Sequence, residues 1–333
     1  MGFWQNLADS YDRNTDALKS RYPISTTTIS NIGDIIAVIT IDENGTFIKS
    51  EEIEKAKKNK NGEDAVLLCI PVTEKSLGRS GKKAWENPNP IFDQYEYLKG
   101  EGNHFESYIA GLEKFACSEF STPQVKAIYK YVIKRTVSMD LAAIVPKDKT
   151  YIVFRVEIPG NPQANLWEDE TLFSVWNDYY IELKGEATEL DYLTGQEQVL
   201  AISHPKKIIN KAANAKLISD NDTSDFTFRG KFDDSAQAVS IGYFASQKAH
   251  QFLRYLINDR GYYCGEQVIL SFTIGSTEKS LPPPLDDTKS IFDFESFHQN
   301  IDTNLTIYQT IIACALCLNL LILDINNPPR RQA

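Results

Sequence analysis

Four cations fall within nine residues at Lys75, Arg79, Lys82 and Lys83, interleaved with Gly78 and Gly81 and followed by the amides of Asn87, Asn89 and Gln94. Lysine and arginine fix a protein's register on phosphates, and amide or guanidinium groups reach base edges. Glycines beside them let the backbone come close to a phosphodiester. The same composition also describes a solvated turn, and composition alone favours the turn. A second set, Lys126, Lys130 and Lys134 with Arg135 adjacent, recurs every four residues, which places the lysines on one face of a helix. Val125, Ile128, Tyr129 and Val132 supply an opposing apolar face, so the stripe is either a track for phosphates or the wet side of the helix. A third set is Lys206 and Lys207 after His204-Pro205, with Lys211 and Lys216 beyond. His204 itself reads as a packed or turn-capping residue.

Catalytic patterns are missing from the sequence. The histidines His104, His204, His250 and His298 lie far apart, with no zinc-protease spacing, and no Gly-x-Ser-x-Gly elbow, Walker loop or Gly-x-Gly-x-x-Gly occurs. Cys314 and Cys317 sit in an apolar run without a second thiol pair, which fits structural cysteines better than zinc or redox chemistry. No metal, cofactor or enzymatic activity is therefore expected. The formal charge of −10 argues against a chain that coats nucleic acid indiscriminately, and any such role must rest on local basic patches. Cys69, Cys117, Cys264, Cys314 and Cys317 form an odd, scattered set, and the N-terminus has no secretory pattern, so a cytoplasmic protein with free thiols is expected.

With 333 residues, 42% hydrophobic and 24% charged, the chain can bury a full core. Trp4, Leu7, Tyr11 and Leu18 recur at helical spacing over 3–20. Residues 34–41 are strand-like, Asn44-Gly45 marks a turn, and 46–48 return as a hairpin. Residues 51–63 read as solvated and 65–71 as a buried strand. Residues 72–92 carry Gly78, Gly81, Pro88 and Pro90 without apolar periodicity and read as a long irregular loop. Helices are predicted over 92–118, 122–138, 168–183 and 234–258, and strands over 150–157, 197–202 and 266–274. In the fourth helix Ala249, Phe252, Leu253 and Leu256 form the buried stripe, leaving Gln247, Lys248 and Arg254 partly outward. The mixture lacks βαβ alternation, which predicts an α+β fold, mainly antiparallel in its sheets, with no Rossmann or barrel signature. Residues 303–323 are uncharged. Interrupting polar residues and the short apolar core favour a buried helix or a non-native tail over a membrane anchor there.

Three blocks occur in one order. The first is Pro71-Val72-Thr73-Glu74-Lys75-Ser76-Leu77-Gly78-Arg79-Ser80-Gly81 with Phe92-Asp93-Gln94 and Tyr97-Leu98. The second is Tyr192-Leu193-Thr194-Gly195-Gln196-Glu197 with Ser203-His204-Pro205-Lys206-Lys207. The third spans 215–256: a strand-like start at 216–219, a turn holding Asn221, Thr223 and Ser224, an arm of Phe226, Phe228 and Arg229, and an amphipathic helix. Together they resemble the Csd family, the large subunit of the type I-C CRISPR surveillance complex, Cascade. Asp225 stands where relatives usually carry glycine, and relatives continue into a helical C-terminal half where this chain ends, which suggests a truncated member.

The resemblance implies a non-catalytic subunit at the 5′ end of the guide RNA. Its implied partners are the crRNA-containing Cascade subunits, the target double-stranded DNA and the nuclease-helicase. It also implies recognition of the protospacer-adjacent motif, which adds weight to DNA contact by the first cationic set; Arg229 and Lys231 join as plausible contacts. Residues 1–285 would form the large-subunit domain, with 286–333 a linker and apolar tail. A rival reading is a stand-alone interaction protein that uses the tail for oligomers or membranes. A weaker one is a nuclease using scattered Asp and Glu residues.

Overall fold

The computed structural model describes residues 3–56, 65–185, 188–206, 208–209, 217–218, 240–264, 267–273 and 318–324. The chain divides into two compact units: Lys19–Ala187 is continuous, and the other combines Met1–Leu18 with Thr188–Ala333. The division falls inside the span 1–285.

Two helices, α1 (Phe3–Arg13) and α2 (Thr15–Leu18), open the discontinuous unit. The continuous unit then begins with β1 (Thr26–Ser30), β2 (Ile36–Asp42), β3 (Phe47–Ile53) and β4 (Leu67–Pro71). In β2 the run Ile36-Ala37-Val38-Ile39-Thr40-Ile41 is buried throughout, as expected of a strand covered on both faces. Next come α3 (Glu74–Gly78), a 3-10 turn (Gly81–Glu86), β5 (Asp93–Gln94), α4 (Tyr95–Leu98) and α5 (Gly102–Cys117). The unit ends with α6 (Pro123–Val132), α7 (Val137–Asp140), β6 (Tyr151–Glu157) and α8 (Glu170–Lys184).

A four-stranded sheet of order β3-β2-β6-β5 lies at its centre, and β1 pairs with β4 separately. Only β2 and β6 run parallel, with Ile36 opposite Tyr151 and Asp42 opposite Glu157; β3 and β5 pair antiparallel. Aromatic side chains fill the core, among them Phe92, Phe115, Tyr131, Phe154 and Trp176. Phe115 meets Trp176 edge-on at 5.5 Å, and Tyr131 meets Phe154 likewise at 6.1 Å.

The discontinuous unit continues with the hairpin β7 (Glu189–Leu190) and β8 (Glu197–Gln198), then α9 (Tyr243–Arg260), β9 (Tyr262–Cys264), β10 (Gln267–Thr273) and β11 (Leu318–Asp324). Helix α1 packs on α9. Trp4 lies 5.3 Å from the His250 ring, and Lys248 donates to Asp12 at 2.9 Å. Helices beside mixed, mostly antiparallel sheets, with no closed barrel among the described residues, make the fold α+β.

Several expectations need correction. The segment 318–324 is a strand antiparallel to β10, not part of a helix: Leu318-Asn319-Leu320-Leu321-Ile322-Leu323 finds a ladder partner in 267–273. Residues 72–92 are not irregular throughout, because Thr73 and Ser76 form a reciprocal capping box that nucleates α3. Gln247 and Arg254 are buried rather than outward, 3% and 2% exposed, since α9 is enclosed by more than one neighbour. Arg254 hydrogen-bonds Gln251 and the Lys206 carbonyl. The predicted apolar stripe of Ala249, Phe252, Leu253 and Leu256 is fully buried. The predicted strand over 197–202 shortens to Glu197–Gln198, and β1, a Thr-rich strand, is additional. The structural reading of 221–229 lies outside the described residues, as do Cys314 and Cys317.

His250 is buried beside His204, with ring centroids 6.0 Å apart. Burial, helped by His204 and Arg254, pulls its pKa down to about 3. A histidine depressed below its unfolded value of about 6.5 contributes stability that is complete above that pH and is lost as pH falls towards 3. Urea unfolding of the full chain, followed by tryptophan fluorescence, should lose up to roughly 4 kcal/mol across that window, and His250→Gln should flatten the slope. A profile flat between pH 6.5 and 4 would exclude a buried neutral imidazole.

Candidate nucleic-acid interface

The segment from α3 to α4 leaves the sheet layer at Pro71 and returns at β5. It is fixed at its start by a buried ion pair. The Glu74 carboxylate pairs with Lys184 of α8, their side chains 2% and 5% exposed, and the Glu74 N–H donates to the Tyr180 hydroxyl at 3.0 Å. Burial is the largest influence on that hydroxyl and pushes its pKa above the usual tyrosine value.

Arg79 caps the far end of α3 and turns inward. Its Nη1 donates to Asp93 Oδ2 at 2.7 Å while Nη2 donates to Oδ1, a fork that matches the carboxylate. The guanidinium lies 4.5 Å from the centre of the Tyr97 ring, and Nη1 also reaches the Asn87 carbonyl at 3.4 Å. Asp93, fully buried, also accepts from the Asn89 and Gln94 N–H groups at 2.7 Å each. Burial alone would favour neutral forms of both partners. For Arg79, the hydrogen bond and charge of Asp93 outweigh it and leave the guanidinium held more firmly protonated than usual.

Arg79 was expected at the DNA surface, yet its side chain is only 11% exposed and both terminal nitrogens bond within the fold. Asn89 is buried as well, spent on Asp93. The remaining cations face outward. Lys82 and Lys83 sit exposed on the 3-10 turn, where Gly81 adopts φ +68°, and Lys75 is exposed on α3. Lys83, 82% exposed, reaches Glu86 only at 3.9 Å, while Lys75 and Lys82 make no hydrogen bond or ion pair with the described residues. Asn87 and Gln94 are half-buried. Sequence spacing brings the loop's cations together but does not show that Arg79 has a partner in Asp93, fourteen residues on.

The second set is split by the fold. Helix α6 starts at Thr122, which caps it, with Pro123 in its first turn. Lys126 and Lys130 stand exposed on it, as the four-residue spacing predicts. Lys134 lies beyond the helix and donates to the Gly45 carbonyl at 2.6 Å, and Arg135 binds the Gly100 carbonyl and Glu106. In the third set the Lys206 side chain is half-buried and its carbonyl accepts from Arg254. His204 is buried with Nδ1 2.8 Å from the Ser246 hydroxyl, the packed role foreseen for it. Lys207 and Arg229 lie outside the described residues. Among the described residues no group of three or more His, Cys, Asp and Glu side chains is arranged to hold a metal, and no helix is long and apolar enough to cross a membrane.

The β2–β3 turn meets α6 at Gly45, whose φ is +72°. A Cβ there would stand 2.6 Å from the Ala127 carbonyl oxygen and 2.8 Å from the Tyr131 nitrogen. Gly45→Ala should therefore destabilise the fold by more than about 1 kcal/mol, read as a lower urea midpoint. An unchanged midpoint would mean that the turn does not seat on α6.

A family model described as CRISPR-associated protein (Cas_Csd1) matches residues 7–316. No curated protein matches the chain. The family match runs through both compact units, from α1 to the segment before β11, and includes every candidate cation discussed above. The chain belongs to the CRISPR-associated Cas_Csd1 family.

Proposed function

We propose that this CRISPR-associated protein is the large subunit of a type I-C RNA-guided surveillance complex, and that residues 75–94 meet the protospacer-adjacent motif on duplex DNA. The observation that carries this reading is the outward display of Lys82 and Lys83 on a braced 3-10 turn, with Lys75 nearby. In a chain of net charge −10, such cations are the places where a polyanion can be held. Asn87 and Gln94 supply amides able to read base edges beside them. Lys126 and Lys130 offer further phosphate contacts along α6.

In this reading the chain binds crRNA-containing Cascade subunits, helps open the target duplex and recruits the nuclease-helicase in antiviral defence. Pairing with the guide supplies most of the sequence specificity. The subunit is itself non-catalytic and works in the cytoplasm, and it requires neither a membrane nor a cofactor.

The test is duplex binding by the complex reconstituted with the full chain and crRNA, across a range of salt concentrations. Lys82→Ala with Lys83→Ala should weaken binding and make the slope of log affinity against log salt shallower by about 2. Asn87→Ala and Gln94→Ala should instead reduce discrimination between motif variants, by about 1–3 kcal/mol for each lost base contact. Unchanged salt dependence in the double lysine variant would remove this loop from duplex recognition.

A further inference from the structure

We propose that Arg79 and Asp93 are positioning residues that shape the cationic loop and do not themselves touch DNA; this rests on the reading of 75–94 as a duplex-binding surface. Asp93 belongs to β5 and is paired with Ile152 of β6, so its carboxylate is fixed to the central sheet. From there Arg79 is held by two hydrogen bonds and reaches on to the Asn87 carbonyl, just past the end of the 3-10 turn. Tyr97 lies beneath the same guanidinium, and its hydroxyl donates to the Ala84 carbonyl at 2.8 Å, in the middle of that turn. The turn is thus tied at two carbonyls to one buried cluster anchored on β6. Lys82 and Lys83 lie just before the tied positions and point outward.

This arrangement pre-orders the loop before any ligand arrives, which lowers the ordering cost at binding. It also yields an outcome that separates positioning from contact. Asp93→Asn removes an acid and leaves the Arg79 cation in place. If Arg79 contacted phosphate, releasing it from its carboxylate would tighten duplex binding and steepen the salt dependence. If the pair positions the loop, the same change weakens binding although the protein has become less negative.

The experiment compares full-chain variants in the reconstituted complex, with motif-bearing duplex DNA titrated at several salt concentrations and crRNA loading measured in parallel. Asp93→Asn and Arg79→Lys should each weaken duplex binding on the order of ten-fold with a shallower salt slope, while crRNA loading stays unchanged. Lysine keeps the charge but lacks the planar fork, so its failure to substitute marks geometry as the requirement. Binding by Asp93→Asn as tight as wild type, or tighter, would overturn the proposal. Should that variant melt below the assay temperature, Tyr97→Phe decides: weaker binding supports positioning, and unchanged binding refutes it. If wild type shows no motif-dependent binding, or the double lysine variant binds normally, the duplex-binding reading falls and this proposal with it. If the lysine effect is present and Asp93→Asn is silent, only the positioning role is lost.

Discussion

A buried arginine–carboxylate fork organises the segment on which the functional reading turns. Arg79 donates two hydrogen bonds to Asp93, and the carboxylate is completed by two backbone N–H groups. A buried ion pair adds little net stability over apolar groups of the same shape, but losing one partner leaves an uncompensated charge, typically at about 3–5 kcal/mol. What the pair supplies is uniqueness of geometry. Glu74 and Lys184 apply the same logic at the other end of α3, so α3 lies between two buried ion pairs. An exposed cationic turn thereby rests on buried charges that are themselves matched.

The two kinds of cation divide the labour according to their chemistry. Arg79, Arg135, Arg155 and Arg254 each bind carbonyl, amide or carboxylate oxygens within their units. Arg155, for example, donates to Asn165 and Glu51 from the middle of β6. A planar, permanently charged fork suits such fixed pairings, whereas the flexible, strongly hydrated ammonium of lysine suits a solvent-facing position. Lys75, Lys82, Lys83, Lys126 and Lys130 occupy those positions. The chain is acidic overall, yet these four described arginines are paired within their units while these five lysines stand exposed.

Much of this architecture could be read from the residues. The apolar run in β2, the Asn44-Gly45 turn and the strand at 151–157 follow from patterns of neighbours along the chain. The two alternate faces of α6 did as well, since Lys126 and Lys130 are one helical turn apart. What escaped depended on distant partners. Spacing shows four cations in a loop, but whether Arg79 faces water or Asp93 is decided by β5 pairing with β6, which lies beyond any local window. Gln247 and Arg254 look like the wet face of a helix until packing encloses them. The apolar run at 318–323 fits helix or strand equally by hydropathy, and only the ladder with β10 selects the strand.

The discontinuous unit carries a consequence for biosynthesis. Helix α1 is synthesised well before α9, and the Asp12–Lys248 contact joins positions 236 residues apart. At translation speeds of about 5–20 residues per second, α1 waits roughly 10–50 s for α9 to appear. During that interval the whole of Lys19–Ala187 is synthesised as one uninterrupted stretch, while Leu7, Ala8 and Tyr11 remain without their final cover. The apolar face of α1 therefore stays open in the nascent chain until α9 has been made.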